Sequence, residues 1–255
     1  LSGKKKALIE LVSLLEKKFK LIIKDETWSS SNSLPFKRLK IKCRNRLLPL
    51  KGDFDPVNSR GKHLNYQDWN KLITDPITII LDVRNNYETE IGTFKNSIIP
   101  KMDNLTEFPH FVDKELSEIK KKKIAMFCTG GIRCEIASSF MMNEGFEDVY
   151  QLDGGILRYL KDVQDKNLWE GECFVFDERV TVDKNLKPGS FLQCFGCRRP
   201  LSKTDLESKY YKKGVSCHQC YNISSKKDKE RFSQRQLQID LAEERGHVHM
   251  GANAK

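Results

Sequence analysis

A cysteine at the start of a glycine-rich loop is the residue of this sequence best suited to chemistry. The loop reads Cys-Thr-Gly-Gly-Ile-Arg-Cys over residues 128–134, and it follows the apolar run 124–127, which is typical of a buried strand. The paired glycines let the chain turn tightly, so that several main-chain N–H groups can point inward at one spot and stabilise an anion. The predicted anion-binding loop consists of Thr129, Gly130, Gly131 and Ile132.

The sulfur of Cys128 lies where this strand gives way to a predicted helix over residues 135–142, which Gly145 can close. The inward amides favour the thiolate over the thiol, and Arg133 adds a fixed positive charge nearby. A thiolate held in this way is a nucleophile, so we predict Cys128 and Arg133 as the catalytic residues. The alternative is a small buried hydrophobic residue, the usual role of a cysteine after a strand, but the flanking glycines and Arg133 argue against it.

Cys134 is expected to have a different role from Cys128. It falls in the first turn of the helix, and its neighbours are typical of a core. We therefore predict a packed, non-catalytic side chain at Cys134, with a resolving thiol for Cys128 as the alternative.

Four other cysteines have the spacing of metal ligands. They form two C-x-x-C pairs, and each pair suits one side of a tetrahedral Zn²⁺ ion. Two such pairs fill all the positions around the metal, which is typical of a structural site. The predicted zinc ligands are Cys194, Cys197, Cys217 and Cys220.

The elements that position the loop alternate between strand and helix. Apolar runs predict strands, and the segments between them have a helical pattern, which indicates a parallel sheet flanked by helices. Ligands gather at the carboxyl ends of strands in such folds, and Asp82, Cys128 and Gly154 all fall at such ends. The strands are predicted at 77–81, 124–127 and 149–152, and the helices at 66–73, 111–120, 135–142 and 156–164.

The remaining segments predict smaller units around this α/β domain. A helix over residues 4–19 and strands at 21–23 and 36–43 indicate a partial α+β segment, and residues 169–183 indicate an extended arm that packs aromatic side chains. The predicted organisation is a partial α+β domain (1–45), a linker (46–64), the α/β domain (65–166), the arm with a small zinc-binding module (167–223) and a basic tail (224–255).

Composition narrows the possible partners and the compartment. The 255 residues carry a formal net charge of +10, which favours a polyanion such as nucleic acid, although a general bias toward Lys, Ile and Asn would also raise the lysine count. No apolar run approaches the roughly 18 residues that a spanning helix needs, so we expect no membrane association. With no secretory signal at the start and with paired cysteines, a reducing, cytoplasmic location is expected.

Several strings in the sequence resemble known proteins. The loop over residues 128–133 resembles the active-site loop of rhodanese domains, and Asp82-Val83-Arg84 resembles their first conserved sheet turn. More narrowly, the sequence resembles the bacterial tRNA uridine-34 hydroxylase family, rhodanese-domain proteins that make 5-hydroxyuridine in tRNA anticodons. The strings that carry this resemblance are 82–88, 91–94, 128–135, 152–157 and 171–177, and the terminal cysteine pairs fit the longer members.

The sequence also departs from that family. Family members usually begin with a complete ferredoxin-like domain, and residues 1–43 match only its later half, so we expect an N-terminally truncated member with a partial ferredoxin-like segment. Thr106 stands where the family has an arginine, which removes any anion contact made there.

The resemblance implies a function and its participants. The implied reaction is oxygen-dependent hydroxylation of the wobble uridine at C5, with molecular oxygen as co-substrate and the tRNA anticodon stem-loop as partner. Cys128 would be the essential thiolate, Arg133 would keep it ionised, and Asp82 and Arg84 would support the site. No flavin or nicotinamide fingerprint occurs in the sequence. Candidate contacts to the RNA backbone are residues 37–44, residues 120–123, Arg198, Arg199 and Lys203, each of which has a solvated basic face as its alternative.

Two other function classes use the same residues differently. A rhodanese-type sulfurtransferase would carry a persulfide on Cys128 and pass the sulfur to an acceptor. A binding scaffold would use the zinc module and the basic surface and leave Cys128 idle. A phosphatase is disfavoured, because we expect a loop one residue longer to enclose phosphate.

Overall fold

The computed structural model describes residues 2–23, 28, 36, 41–43, 50, 52, 55–164, 166–247 and 249. The chain divides into two compact units, one drawn from Leu1–Lys42 and Ser233–Lys255 and the other from Cys43–Phe232. The helices are α1 (Lys5–Phe19), α2 (Tyr66–Thr74), α3 (Asn86–Thr89), α4 (Phe108–Phe111), α5 (Ile132–Asn143), α6 (Gly155–Asp162) and α7 (Lys226–Glu244). The strands are β1 (Lys62–Leu64), β2 (Ile79–Asp82), β3 (Gly92–Phe94), β4 (Ile124–Phe127), β5 (Val149–Leu152), β6 (Trp169–Gly171), β7 (Cys173–Phe174), β8 (Thr181–Val182), β9 (Leu192–Gln193) and β10 (Pro200–Leu201).

The first unit contains α1, which confirms the helix predicted over residues 4–19. The strand predicted at 21–23 does not form. The N–H of Leu21 instead bonds the carbonyl of Glu16, 3.2 Å away, and the N–H of Ile23 bonds the Glu16 carboxylate, so the end of the helix takes the donors that a strand would need. The other predicted strand, at 36–43, lies largely outside the described residues, and residues 36 and 41–43 are not in a strand.

The second unit is built on a four-stranded parallel sheet with strand order β1-β5-β4-β2. The central strand β4 has all four residues buried, because helices cover both faces of the sheet. Successive side chains of a strand point to opposite faces. Accordingly Ile124 and Met126 lie in one hydrophobic core, while Ala125 and Phe127 lie in the other. The predicted α/β architecture, a parallel sheet flanked by helices, is confirmed.

Three details of the second unit differ from the sequence predictions. Strand β1 lies in the predicted linker, where it pairs in parallel with β5 at the edge of the sheet. The strand predicted at 77–81 is shifted and ends at Asp82. The helix predicted at 111–120 begins earlier, at α4, where Pro109 favours the first turn, and it continues as a π-helical turn at Val112–Leu116 and a 3-10 turn at Ser117–Ile119.

The predicted arm adds its own side chains to the second core. Strand β6 pairs antiparallel with β3, and Trp169 packs its ring 5.2 Å from that of Phe94. Cys173 and Val182 are also fully buried in this core. The arm therefore belongs to the core of the α/β domain, which the sequence analysis had ended at residue 166. Within the described ranges, no helix combines the length and the apolar character needed to cross a bilayer.

Candidate functional site

The loop that contains Cys128 connects β4 to α5, as the sequence predicted. Helix α5 begins at Ile132, three residues earlier than expected, because Gly131 has φ of +85° and turns the chain directly into the first helical turn. Cys128 is 1% exposed, so its sulfur is enclosed by the protein.

Helix α6 fixes the orientation of the loop peptides. The N–H of Ile156 donates to the carbonyl of Cys128 at 3.0 Å, and the N–H of Leu157 donates to the carbonyl of Thr129 at 3.1 Å. A trans peptide points its N–H opposite to its carbonyl. The N–H groups of Thr129 and Gly130 therefore face away from α6.

The close approach of α6 to the loop requires glycine at position 155. Gly155 has φ of +66°, and a Cβ atom there would lie 2.6 Å from the nitrogen of Gly131 and closer still to the carbonyl oxygen of Cys128. Gly155, in the Gly-Gly step that follows β5, therefore packs directly against the cysteine loop, although it lies more than twenty residues later in the sequence.

The surroundings of Cys128 stabilise its thiolate. Burial by itself raises the pKa of Cys128, but the Cys134 thiol, the charge of Arg133 and the N–H groups of Cys134 and Arg133 all lower it. Together they bring the pKa of Cys128 from 9.0 to about 6. The main donors to this sulfur come from the first turn of α5, at residues 133 and 134.

Cys134 is the hydrogen-bonded thiol partner of Cys128. The sequence analysis predicted a packed residue here and gave a resolving thiol as the alternative. Cys134 is fully buried, as a packed residue should be. Burial and its hydrogen bond to Cys128 hold the pKa of Cys134 well above 9.0, so it stays protonated beside the thiolate. The sequence signal for this role was the position of Cys134, six residues after Cys128.

Glu88 is a residue of the site that the sequence analysis missed. The Arg133 guanidinium donates from Nη1 to Oε2 of Glu88 at 2.6 Å and from Nη2 to Oε1 at 2.7 Å. Thr129 joins the pair, since its hydroxyl donates to Glu88 and accepts from Arg133, each at 3.1 Å. Glu88 also accepts the N–H of Asn85, the helix-capping pattern that the sequence shows at this position, but capping alone does not reveal a distant arginine.

Asp82 and Arg84 form a buried ion pair beneath this network. Both are 0% exposed, and Arg84 donates to both carboxylate oxygens of Asp82, at 2.9 and 2.6 Å. Although burial lowers the pKa of Arg84, its pairing with Asp82 raises it, so the guanidinium stays charged. Arg84 also donates to the carbonyl of Glu88 at 3.2 Å. The pair thus positions the residue that holds Arg133.

The four cysteines of the second motif lie together in a small module that contains β9 and β10. Their sulfur atoms all lie within 4.8 Å of one another. The Cys194–Cys220 and Cys197–Cys217 sulfur distances are 3.9 and 3.8 Å. A tetrahedron with zinc–sulfur bonds of about 2.3 Å has edges of about 3.8 Å, so these cysteines can hold a metal ion such as zinc. The thiol of Cys197 lowers the pKa of Cys194 to about 5, which favours the anionic form that binds metals.

The basic residues predicted to contact RNA lie in separate segments of the chain. Residues 120–123 precede β4, whereas Arg198, Arg199 and Lys203 lie in the cysteine module. Residues 37–40 and 44 lie outside the described part of the chain.

The segment that contains this site matches a known protein family. Residues 65–162 match the family described as Rhodanese-like domain. This segment is a rhodanese-like domain. It contains the Cys128 loop, Glu88 and the Asp82–Arg84 pair, while the arm and the cysteine module follow it. A rhodanese-like domain is compatible with cysteine-loop chemistry and with sulfur transfer.

Solved structures similar to the chain each cover about two fifths of it. A rhodanese-related protein from Thermoplasma volcanium is 24% identical over 42% of this chain and 98% of its own, with a TM-score of 0.34. A rhodanese-like domain protein from Staphylococcus aureus is 23% identical over 42% of this chain and 95% of its own, with a TM-score of 0.33. The rhodanese-like domain of an Anabaena protein is 20% identical over 43% of this chain and 78% of its own, with a TM-score of 0.36.

Proposed function

We propose that this protein hydroxylates C5 of the wobble uridine in tRNA. The observation that carries the proposal is the Cys128 thiolate, held with a pKa of about 6 beside a protonated thiol and a guanidinium. Such a sulfur is mostly ionised at neutral pH and is a strong nucleophile. The choice of uridine rests on the sequence strings that resemble the tRNA uridine-34 hydroxylases, and the net charge of +10 suits an RNA partner.

The reaction has a simple balance of atoms and electrons. One atom of molecular oxygen replaces the C5 hydrogen as a hydroxyl, the other leaves as water, and a thiol reductant supplies two electrons and two protons as it becomes a disulfide. In our proposal the Cys128 thiolate adds to C6 of the uracil ring, which makes C5 nucleophilic toward oxygen. Loss of the C5 proton and of the thiolate then restores the double bond.

The cysteine module supports the fold of this protein in our proposal and takes no part in the chemistry. Cys194, Cys197, Cys217 and Cys220 would hold a Zn²⁺ ion, and four protein ligands leave no open position for a substrate. A cytoplasmic tRNA is the substrate that this protein would meet.

Mass spectrometry of anticodon nucleosides tests the proposal. We expect 5-hydroxyuridine to disappear from tRNA in cells that carry only the Cys128→Ser variant and to persist with Cys43→Ser, which changes an exposed cysteine. With purified protein, unmodified tRNA, a thiol and heavy-isotope oxygen gas, the label should enter the nucleoside. Normal 5-hydroxyuridine with Cys128→Ser, in cells without a second such enzyme, would refute the proposal.

A sulfurtransferase is the second candidate, since it uses the same thiolate and the rhodanese-like domain is compatible with it. The Cys128 sulfur would attack the outer sulfur of thiosulfate, break the sulfur–sulfur bond, release sulfite and keep a persulfide. Cyanide would then take that sulfur and leave as thiocyanate. Fast thiosulfate-to-cyanide transfer together with unchanged tRNA nucleosides would favour this activity over hydroxylation.

A further inference from the structure

A cavity of about 370 Å³ lies between α3, the arm and the cysteine module. Its volume falls in the range of roughly 300–1,000 Å³ that is typical of small-ligand sites. One wall is aromatic and the other carries amide and guanidinium groups. The lining side chains used below are Tyr87, Phe174, Phe176, Gln193, Arg198 and Arg199.

The aromatic wall has an exposed ring on a rigid support. Phe174 is buried and packs edge-on against Tyr87 at 5.2 Å and against Phe176 at 5.1 Å between ring centroids. Phe176 itself is 63% exposed. A ring that is held at its edge and open to solvent is suited to stacking with a planar ligand.

The opposite wall carries two adjacent arginines of the cysteine module. Arg198 has φ of +70°, a conformation that residues other than glycine rarely adopt, and its N–H bonds the carbonyl of Cys194 at 2.6 Å. Its guanidinium donates to the side chain of Gln193 at 3.1 Å. The turn between the first two cysteines therefore fixes Arg198 at the cavity, and Arg199 follows it. A strained residue held by its surroundings often marks a binding site.

The cavity adjoins the residues that surround Cys128. The Arg133 guanidinium lies 6.0 Å from the ring centroid of Phe176. Tyr87 immediately precedes Glu88, which binds Arg133 through both carboxylate oxygens. A ligand that stacks on Phe176 would thus lie one side chain away from the group that stabilises the thiolate.

We propose that this cavity binds an unpaired RNA nucleotide that neighbours the reacting uridine. Its base stacks on Phe176, and Arg198 and Arg199 bind its phosphate. Aromatic rings combined with guanidinium groups are the usual means of holding single-stranded RNA. None of the lining residues is an aspartate or a glutamate, and Arg199 also donates to the exposed carboxylate of Asp103 at 3.2 Å. The identity of this RNA rests on the proposed function, but the binding itself can be measured without turnover.

The test measures binding of a fluorescent single-stranded oligouridine to the Cys128→Ser variant of the 255-residue chain, which cannot turn over. Adding Phe176→Ala should raise the Kd about tenfold, the effect of losing one stacked base, and Phe176→Trp should restore binding. Arg198→Gln should weaken binding and reduce the slope of log K against log salt by about 0.7. Arg60→Gln, which removes one positive charge outside the cavity, should leave the Kd within twofold.

The outcomes of this test distinguish the nucleotide site from the proposed hydroxylation. Unchanged binding by Phe176→Ala, no binding by the parent protein, or equal competition by duplex RNA or an acidic peptide would overturn the nucleotide site. If Phe176 controls RNA binding but no 5-hydroxyuridine forms, the site stands and the proposed hydroxylation falls. If hydroxylation occurs and Phe176→Ala changes neither Kd nor KM, the site alone falls. Circular dichroism and zinc content equal to the parent establish that each variant is folded.

Discussion

Arg133 and Glu88, 45 residues apart in the sequence, are joined by two charge-assisted hydrogen bonds of 2.6 and 2.7 Å. Glu88 is fully buried, so the pair forms with little competition from water. The guanidinium directs its donors to this carboxylate and to Thr129, while the main-chain N–H of the same residue donates to the Cys128 sulfur. Arg133 therefore acts on the thiolate through its charge and its backbone.

The first prediction concerns the two members of this pair, whose charges act on the thiolate with opposite sign. Arg133→Gln removes a positive charge and should raise the pKa of Cys128, whereas Glu88→Gln removes a negative charge and should lower it. Titration of the thiolate ultraviolet absorbance, corrected by the same titration of Cys128→Ser, measures both shifts. Shifts of the same sign would contradict the electrostatic account. Breaking this buried pair should also lower the free energy of unfolding by about 3 kcal/mol.

The second prediction is that protein stability rises with pH between about 6 and 9. In this range the native Cys128 has lost its proton, while the unfolded cysteine, with an ordinary pKa near 9.0, still holds one. The unfolded state therefore binds more protons, and the free energy of unfolding increases with pH by up to about 1.4 kcal/mol per unit. The contribution is lost as the pH falls through 6. Urea denaturation should show this slope in the parent protein, and in Cys128→Ser the slope should be smaller by this contribution, since other groups such as Cys194 remain.

The third prediction assigns part of the low pKa to the neighbouring thiol. Cys134→Ala removes a hydrogen-bond donor from the Cys128 sulfur, so the pKa of Cys128 should rise from about 6 toward its ordinary value. The pH profile of tRNA hydroxylation should move in the same direction. An unchanged midpoint in both measurements would mean that the backbone amides and Arg133 suffice.

The fourth prediction uses two glycines of the same site as a matched pair. Gly155→Ala places a methyl group 2.6 Å from the Gly131 nitrogen in a left-handed backbone conformation, so we expect a loss of roughly 2–4 kcal/mol in unfolding free energy. Gly130→Ala meets nothing within 4 Å and should change the stability by less than about 1 kcal/mol. Thermal and urea denaturation compare them directly, and equal effects would exclude the proposed crowding.

The fifth prediction concerns metal content. Elemental analysis should find about one zinc ion per chain in the parent protein, and Cys217→Ser should lose it because three thiolates bind zinc more weakly than four. Cys43→Ser, at an exposed cysteine outside the cluster, should keep the full content. Retained zinc in Cys217→Ser would place the metal elsewhere.

Local patterns in the sequence were sufficient to predict the strand before the cysteine loop and the clustering of the four cysteines. An apolar run followed by two glycines predicts a strand and a tight loop wherever the rest of the chain lies, and the C-x-x-C pairs carry their own geometry. Strand β1 was missed because Lys62 and His63 give it no apolar pattern, and it exists only through its pairing with β5.

The partners of the loop depend on contacts between distant segments, which spacing does not reveal. Glu88 reaches Arg133 only after the sheet is assembled. Gly155 was visible as part of a Gly-Gly step, but its contact with the loop required the approach of α6. The exposed ring of Phe176 likewise becomes a candidate binding group only once the folded chain places the arginines across the cavity from it.

Trp169 has a consequence for how the chain is made. Its ring lies 5.2 Å from Phe94 and its face covers the Arg84 guanidinium at 5.1 Å, yet it follows the last residue of the family match, 162. A nascent chain that has emerged from the ribosome only as far as that residue still has an open aromatic core and an uncovered ionic centre. The Cys128 loop leaves the exit tunnel earlier, so the aromatic core and the Asp82–Arg84 pair on the other side of the sheet are completed after the nucleophile has been made.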